Sequence, residues 1–253
     1  LEPERRDLAA AVLLSLLRLK ARGISGPVAL LWSDHIMEYP DRFREALSEA
    51  EKHVESNSEQ FVFLSEKPRF ANANLGWIHT GAAAGDGFTS FLGWKYRPAE
   101  DECLLMFHGG EWQWNPGYFV FDIDFCLSLY EQHETELFEL LSAPKNDEEL
   151  RSAYVRAPQK HFDSAIAERL TKDQAVVLPV ELGWSDPGTL YALKEALVGS
   201  GTENLTHGTV TSLDVSDSLL YNDAGEGVLT AIGLSGMVVV RTQDAVLVCP
   251  KDR

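Results

Sequence analysis

One aspartate lies in a short turn where its carboxylate is well placed to bind a ligand or a metal ion. Asp186 lies in the sequence ELGWSDPG at positions 181–188, after an apolar run at 175–180 and before a helix-like stretch from Leu190 to Leu197. An acidic residue at the carboxyl end of a buried strand stands where open α/β sheets bind their ligands. Glycine and proline on either side restrict the turn that carries it. This setting predicts a metal site that includes Asp186.

A second aspartate, Asp34, follows another apolar run in the sequence LWSDH at positions 31–35. By itself an aspartate in such a place is often only a cap or a turn residue, and that alternative stays open. Two strand-end carboxylates from neighbouring parallel strands can converge on one hard cation, and Mg²⁺ binds through few carboxylates together with phosphate oxygens and waters. We expect His35 to be a structural hydrogen-bonding residue, because Mg²⁺ prefers oxygen ligands.

Two further segments carry side chains suited to a ligand rich in hydroxyl groups. Asn115, in the sequence WNPG, can present both a donor and an acceptor to a sugar hydroxyl, and Gly117 would allow a close backbone approach. The same residues would equally form an Asn-Pro-Gly turn that only starts a strand. Asp163 could face such a ligand, or it could cap the helix that follows it.

Basic residues end a predicted strand at 88–96, where Lys95 and Arg97 alternate with aromatic residues. A cation at a strand end can hold a phosphate, whereas the alternation favours solvated surface charges. The glycine-rich sequence GAAAGDG at 81–87 has no Lys, Ser or Thr in the spacing of a P-loop. It predicts a hairpin loop between strands at 76–80 and 88–96 and not a phosphate cradle.

The order of the predicted elements indicates an α/β fold of Rossmann-like type. Helices are expected at 8–19, closed by Gly23, and at 40–54, with buried strands at 27–31 and 61–64. This strand–helix–strand order predicts a mainly parallel mixed sheet with flanking helices. After about residue 200 short apolar runs alternate with turn signals, which predicts an all-β, solenoid-like segment. We expect one domain over residues 1–199 and a second over 200–253, joined near the glycines at 199–201.

The composition excludes several classes of protein. The chain has 253 residues, is 45% hydrophobic and carries a formal net charge of −17, which argues against a binder of the nucleic-acid backbone. No apolar run reaches the length of a membrane span, and no signal-peptide pattern is present. Three scattered cysteines fit a reducing cytoplasm, where we expect the protein to act. Homo-oligomers are compatible with the sequence.

Taken in order, these segments resemble the mannose-1-phosphate guanylyltransferases, within the sugar-phosphate nucleotidyltransferase superfamily. The resemblance covers nearly the whole chain. EPERRDLA at 2–9 is similar to the family's EPxxRNTA, LWSDH at 31–35 to LPADH, and KP at 67–68 with GWI at 76–78 to the KPT…GYGYI segment. WNPG at 114–117 resembles WNSG, FDSAIAE at 162–168 resembles SIDYxxME, and GWSDPG at 183–188 resembles GWSDVG. The tail at 239–253 is similar to VVVxTxDAVLVxxKDR.

The resemblance implies that the phosphate of mannose 1-phosphate attacks the α-phosphorus of GTP, giving GDP-mannose and pyrophosphate. It implies Mg²⁺ held by Asp34 and Asp186, and Arg97 near the sugar phosphate. It also implies residues that contact the sugar, namely Gly76, Asn115, Gly117, Asp163 and Glu168. It implies Arg6 and Asp7 for the nucleotide.

Some positions depart from the family pattern. The family's glycine-rich signature GGxGTRLWPLS, which cradles the triphosphate, is not among the 253 residues, and two alternatives stay open: the chain has been processed, or residues before Leu1 exist that carry this signature. Tyr96 and Arg97 stand where the family has the Glu and Lys of its EKP motif, and Arg169 replaces the Lys after Glu168. Arginine still holds phosphate, with a planar fork in place of a point charge. These departures leave two alternatives open: a catalytically impaired protein that binds a sugar nucleotide or regulates a partner, and a nucleotidyltransferase for another sugar 1-phosphate.

Overall fold

A computed structural model of the chain describes residues 2–187, 194, 197–198 and 202–251. The backbone divides into two compact units, the first formed by Leu1–Trp32 with Tyr39–Leu182 and the second by Ser33–Glu38 with Gly183–Arg253. Most of the helix predicted at 190–197 and the whole linker predicted at 199–201 lie outside the described residues.

The first unit is built on a six-stranded mixed sheet. Its order in space is β1-β5-β2-β6-β4-β3, and β5 also pairs with β3. β2 and β6 pair in parallel, whereas the other pairings within the described sheet are antiparallel. The strands are β1 (Pro27–Leu30), β2 (Phe61–Glu66), β3 (Gly76–Gly85), β4 (Phe88–Tyr96), β5 (Trp112–Asp122) and β6 (Ala175–Val180).

The expectation of mainly parallel neighbours is wrong for the described strands. The sequence predicts β1 and β2 as neighbours joined by a crossover helix, but β5 lies between them and runs antiparallel to both. β1 and β2 still point in the same direction, as a crossover helix requires. Residues 116–121 of β5 are all buried, as expected for a strand that has neighbours on both sides.

Helices flank this sheet, as predicted. The first ends where Gly23 adopts a φ of +75°, with hydrogen bonds from the Gly23 N–H to the Lys20 carbonyl (2.9 Å) and from the Ile24 N–H to the Leu19 carbonyl (3.1 Å). These two bonds satisfy carbonyls that the last helical turn leaves unpaired. The helices of this unit are α1 (Asp7–Ala21), α2 (Pro40–Ser56), α3 (Glu100–Gly109), α4 (Ile123–His133), α5 (Thr135–Ser142), α6 (Asp147–Tyr154) and α7 (Phe162–Ala165). Over the described ranges, none of the helices has the length and apolar character to cross a bilayer.

The glycine-rich sequence between β3 and β4 forms a hairpin, but a tighter one than predicted. β3 continues to Gly85, so that only Asp86 and Gly87 form the turn. Both have positive φ values, +49° and +85°, which is the backbone of a type I′ turn, and Asp-Gly favours this turn. The twist of such a turn matches that of the strands, which explains why the ladder extends beyond Thr80.

Aromatic rings form the centre of the core in the first unit. The rings of Phe61 and Phe121 stack at 4.5 Å between centroids, and those of Phe63 and Phe119 meet edge to face at 5.3 Å. Phe162 of α7 is fully buried and packs on the same group, with its ring centroid 5.6 Å from that of Phe119. Aromatic pairs at such distances add to the free energy gained by burial. This anchor fixes the position of α7 on the sheet.

The second unit contains parallel strands that stack as in a solenoid. β7 (Leu205–His207), β9 (Leu219–Asn222) and β11 (Met237–Arg241) pair in parallel, and so do β8 (Val210–Leu213) and β10 (Leu229–Ile232). β12 (Val246–Pro250) pairs antiparallel with β11. These strands agree with the all-β, solenoid-like segment that the sequence predicts after about residue 200.

A buried lysine is neutralised inside the second unit. The Lys194 side chain is 0% exposed, and its Nζ lies 2.7 Å from Asp217 Oδ1. The other oxygen of the same carboxylate lies 2.7 Å from Lys251 Nζ, whose side chain is 42% exposed. A buried cation is costly unless it is paired, so the carboxylate of Asp217 supplies a charge that makes the burial of Lys194 possible.

We predict that Asp217→Asn lowers the free energy of unfolding by about 3 kcal/mol, because it removes the carboxylate that neutralises the buried ammonium of Lys194. Asparagine tolerates the positive φ of +49° at this position, so the substitution tests the charge and not the backbone. Urea denaturation measures the effect. Lys251→Met is the control and should cost less than about 1 kcal/mol, since exposed pairs contribute little. If the two variants lose equal amounts of unfolding free energy, the ion pair between Asp217 and Lys194 does not stabilise the protein more than an exposed pair does.

Candidate functional site

Two segments of the second unit bring the predicted metal ligands together. Residues 33–38 and 183–187 meet in one antiparallel bridge, where the N–H groups of Ile36 and Ser185 each donate to the other's carbonyl oxygen at 3.0 Å. Asp34 and Asp186 lie beside this bridge. Both carboxylates are near enough to His35 to raise the pKa of its imidazole. Two acids that are far apart in the sequence therefore share one neighbour.

His35 is a hydrogen-bonded residue of this site. Trp184 Nε1 donates to His35 Nδ1 at 3.0 Å, and the two rings meet edge to face at 5.3 Å. Burial lowers the pKa of His35 by more than the carboxylates of Asp186 and Asp34 raise it. Because Nδ1 accepts a hydrogen bond, the neutral ring carries its proton on Nε2, which lies 3.9 Å from Asp186 Oδ1. This arrangement fits the structural role expected from the sequence.

The pair of aspartates fits a cation that needs few protein ligands. The Asp186 side chain is 43% exposed and Asp34 is also exposed, so both are accessible to an ion. Over the residues that the structure describes, no group of three or more His, Cys, Asp or Glu side chains is placed to hold a metal. Mg²⁺ is bound by one or two carboxylates and keeps waters and phosphate oxygens in its other positions. The donor set therefore suits Mg²⁺ better than a structural zinc ion, which takes four protein ligands.

In the first unit, three residues predicted to contact the sugar phosphate lie at one end of the sheet. Gly76 opens β3 and pairs with Asn115 of β5 on one side and with Tyr96 of β4 on the other. Arg97 follows Tyr96 directly, and its N–H donates to the carbonyl of Leu75 at 3.2 Å. Pairing between strands thus gathers Gly76, Asn115 and Arg97, which the sequence places in three separate segments.

Asn115 combines the turn and the ligand alternatives. Its Oδ1 accepts the N–H of Gly117 at 3.0 Å, as in an Asn-Pro-Gly turn. Its Nδ2 lies on the side of Gly76, 3.5 Å from where a Cβ on that glycine would stand, and has no hydrogen-bond partner among the described residues. An amide with one end fixed and the other free to donate is well suited to orient a hydroxyl group.

Position 117 requires glycine for two reasons, its backbone conformation and a close contact with a neighbouring side chain. Its φ is +77°, and a Cβ built there would lie 2.3 Å from Nε1 of Trp32. The residue that approaches Gly117 in the structure is therefore Trp32, which follows β1 and remains 40% exposed. In the motif at 31–35 the sequence pointed to Asp34 and His35 and not to Trp32. The signal for Trp32 was present, since it is a large aromatic residue where the family motif LPADH has proline.

Arg97 has an unusual backbone for a residue with a side chain. Its φ is +45°, in the left-handed region that costs a residue other than glycine about 1 kcal/mol or more. Its guanidinium lies over the ring of Tyr96, with the central carbon 5.1 Å from the ring centroid. The Tyr96 side chain supplies an aromatic support for the cation where the family motif has a carboxylate.

Three acidic residues with predicted substrate roles come together around α7. Burial raises the pKa of Asp163, and nearby Glu168 and Asp7 raise it further, whereas a hydrogen bond from its own N–H and the charge of His161 lower it. His161 Nδ1 lies 3.2 Å from Asp7 Oδ2. Asp7, predicted for the nucleotide, therefore stands in one group with Asp163 and Glu168, predicted for the sugar.

A cavity of about 720 Å³ lies between β4 and the segment that contains Glu168. Lys95 lines it and also pairs with Glu102 at 2.9 Å. Thr171 and Lys172 line it as well, although no motif in the sequence would have singled them out. This cavity of the first unit is roomy enough for a sugar-sized ligand.

Arg6 is engaged by groups of the protein. Its guanidinium donates to Glu4 Oε2 at 3.1 Å and to the main-chain carbonyl of Val155, after the end of α6. The side chain is 19% exposed. The predicted nucleotide contact of Arg6 stays a prediction, and these partners are what a nucleotide would have to replace.

Two family models match the chain, one for each part of the fold. A model described as nucleotidyl transferase matches residues 1–203, which is most of the chain. The chain belongs to the nucleotidyl transferase family. The other model, described as the MannoseP isomerase/GMP-like beta-helix domain, matches residues 208–253. The resemblance and the fold class predicted from the sequence, a nucleotidyltransferase fold followed by a β segment, are thereby confirmed.

The chain is also similar to curated proteins with related names. It is 29% identical over 261 residues to the xanthan biosynthesis protein XanB of Xanthomonas campestris pv. campestris, and 29% identical over 269 residues to the mannose-1-phosphate guanylyltransferase of Escherichia coli K12. Each alignment covers 100% of this chain and 54% of the relative, so the chain spans about half the length of these proteins.

Solved structures support the same fold. A protein from Thermus thermophilus, described as a mannose-1-phosphate geranyltransferase, matches with a TM-score of 0.88 and 28% identity over 100% of this chain and 73% of that one. A protein from Helicobacter pylori described as mannose-6-phosphate isomerase matches with a TM-score of 0.61 and 19% identity, over 74% and 73% of the two chains. The second likeness concerns the fold alone.

We predict that Gly117→Ala lowers the free energy of unfolding by more than Gly23→Ala does. The two glycines have nearly equal φ values, +77° and +75°, but a Cβ at position 23 would meet nothing within 4 Å. Gly23→Ala therefore measures the backbone cost alone, about 1 kcal/mol. The excess at Gly117 measures the clash with Trp32. Equal losses in urea denaturation would mean that the Trp32 ring moves aside without cost.

We predict that Asp163→Asn raises stability at neutral pH. The native state raises the pKa of Asp163, so ionisation of this carboxyl at neutral pH disfavours folding, and asparagine removes that cost. The gain should be present above the raised pKa and should vanish as the pH falls below about 3.9, the ordinary value for aspartate. Thermal or urea unfolding at several pH values measures it. In a Glu168→Gln background the gain should shrink, because one of the charges that raise the pKa is gone. A loss of stability at neutral pH would contradict this account.

Proposed function

We propose that the protein transfers a guanylyl group from GTP to mannose 1-phosphate in a Mg²⁺-dependent reaction. A phosphate oxygen of the sugar phosphate forms a bond to the α-phosphorus of GTP, the bond from that phosphorus to the bridging oxygen breaks, and pyrophosphate leaves. The observation that supports this most is the pair of exposed carboxylates, Asp34 and Asp186, beside one neutral histidine in a chain of the nucleotidyl transferase family.

Asp34 and Asp186 are the residues that would hold Mg²⁺. When bound, this ion would neutralise phosphate charge and favour the approach of two anionic substrates. The role of the protein groups around it is to keep the ligands in place. The bridge between Ile36 and Ser185 fixes the backbone on both sides, and His35 fills the space beside Asp186 without a positive charge that would compete with the ion.

The first unit supplies groups for the sugar phosphate. The free amide nitrogen of Asn115 would donate to a hydroxyl of the sugar, with the backbone of Gly76 and Gly117 beside it. The guanidinium of Arg97 would stabilise the phosphate, and Glu168 borders a cavity of suitable size. Asp163 would accept from a hydroxyl, and Arg6 and Asp7 would contact the nucleotide. In reactions of this type, positioning and charge neutralisation account for most of the rate.

One observation favours a second candidate function. Tyr96 is 55% exposed and cannot supply the carboxylate that the family motif has at its position. We infer that this change, together with Arg97, alters which sugar 1-phosphate is used, or leaves a protein that binds a sugar nucleotide without turnover. The cytoplasmic location and homo-oligomerisation remain predictions from the sequence.

We predict that Asp34→Asn and Asp186→Asn each reduce turnover by roughly 100-fold or more, because each removes a charge that holds the metal ion. The measurement is pyrophosphate release by the full-length protein with GTP, mannose 1-phosphate and varied Mg²⁺. Asp41→Asn is the matched control, since Asp41 is an exposed acid that pairs with Arg44 on α2. Its turnover should equal that of the unaltered protein.

Two outcomes would overturn the proposed reaction. Absence of turnover with GTP and other nucleoside triphosphates, across several sugar 1-phosphates, would reject enzymatic activity. If calorimetry then showed tight binding of a GDP-sugar that Asp186→Ala leaves unchanged, the sugar-nucleotide-binding alternative would replace it. Turnover with a sugar other than mannose would keep the reaction type and change the substrate.

A further inference from the structure

Trp32 is a large aromatic residue exposed at the end of β1. It follows the strand by two positions and precedes Asp34 by two, and 40% of its surface remains accessible. The family motif LPADH has proline at this position, so the indole is a feature of this chain. A side chain of this size is usually buried, and one that stays exposed next to functional groups is suited to contact a ligand.

The position of the indole is fixed by its contact with Gly117 in β5. Nε1, Cδ1 and Cε2 of Trp32 would lie 2.3, 3.3 and 3.3 Å from a Cβ at Gly117, so the five-membered edge of the ring rests directly on that glycine. The backbone at Gly117 is in turn fixed by its hydrogen bond to Asn115 Oδ1. Trp32 is therefore held against a built turn and does not extend freely into solvent.

Asn115, whose Oδ1 accepts the N–H of Gly117, has the character of a hydroxyl-binding residue. The amide nitrogen of Asn115 is free to donate, and it lies on the side of Gly76, whose missing side chain leaves the backbone accessible. The indole rests on Gly117, and Gly117 is bonded to Asn115, so the same turn carries an apolar surface and an amide donor. A pyranose ring has the matching character, since it presents apolar C–H groups on one face and hydroxyls at its rim.

We propose that Trp32 forms an aromatic wall of the sugar subsite, against which the ring of a hexose 1-phosphate stacks. The inference rests on the proposed function and names a residue that discriminates between sugars. The indole is rigid, so little conformational entropy is lost when a sugar covers it. Hexoses that differ in which of their hydroxyls are axial present different C–H faces to the indole, which makes Trp32 a determinant of sugar specificity.

The test compares Trp32→Ala and Trp32→Phe with Trp112→Phe in the full-length protein. Trp112 is the matched control, because it is a partly exposed tryptophan of the same first unit that stacks on His79 at 4.5 Å. Trp32→Ala should raise the KM for the hexose 1-phosphate by about tenfold, the equivalent of roughly 1.4 kcal/mol, and Trp32→Phe should raise it less. The kcat and the KM for GTP should stay within about twofold, and Trp112→Phe should change the KM of neither substrate.

The outcomes separate this inference from the proposed function. If turnover occurs but Trp32→Ala leaves the KM for the hexose 1-phosphate unchanged, or raises the KM for GTP instead, the sugar wall is rejected and the reaction stands. If neither the unaltered protein nor any variant shows turnover, the proposed reaction is rejected. Titration with the hexose 1-phosphate, followed by tryptophan fluorescence, then still tests Trp32. A change in fluorescence on titration that is lost in Trp32→Phe and kept in Trp112→Phe supports the aromatic wall. A change that both variants keep overturns it. Urea denaturation of Trp32→Phe identifies a loss that comes only from unfolding.

Discussion

The left-handed backbone at Gly117 allows β5 to pair with different strands along its two halves. β5 pairs through residues 118–122 with β1 and β2 and through residues 112–115 with β3, and Trp114 also stands opposite Glu66 of β2. Between these parts β5 uses four residues where β2 uses two, from Tyr118 opposite Leu64 to Trp114 opposite Glu66. The extra residues form a bulge, and bulges redirect side chains at the ends of sheets. The sheet order of the first unit, and the placement of Asn115 in it, depend on this bulge.

The bulge also explains why aromatic and polar groups occur together at this end of the sheet. Glycine is needed at position 117 for two independent reasons, the positive φ and the contact with Trp32. A side chain there would disturb the turn and displace the indole at once. The turn uses the oxygen of the Asn115 amide, and the nitrogen remains available for the sugar hydroxyl that we propose. The local backbone geometry and the proposed sugar subsite therefore depend on the same three residues.

The departures from the family pattern change the chemistry without removing the framework. Arg97 keeps a cation at the end of β4 and rests on Tyr96, which provides a ring in place of a carboxylate. The acidic group of Asp163, Glu168 and Asp7 is one in which burial and repulsion hold a carboxyl in a less ionised state than usual. A sugar hydroxyl that donates to Asp163 would relieve part of this repulsion. Such groups are typical of binding sites, where stability is given up for contacts that only a ligand completes.

Many local elements of this protein can be predicted from its sequence alone. The apolar runs, the glycine at the end of α1 and the Asp-Gly turn of the hairpin specify their elements locally, because each depends on periodicity or on a φ value that few residues adopt. The ordered motifs also indicate the family and name both aspartates. The sequence could not show that β5 lies between β1 and β2, or that Trp32 rests on Gly117, because these contacts join residues far apart along the chain. Nor could it show that Asp34 and Asp186 share His35. Those relations arise from strand pairing and close packing, and only the tertiary structure decided them.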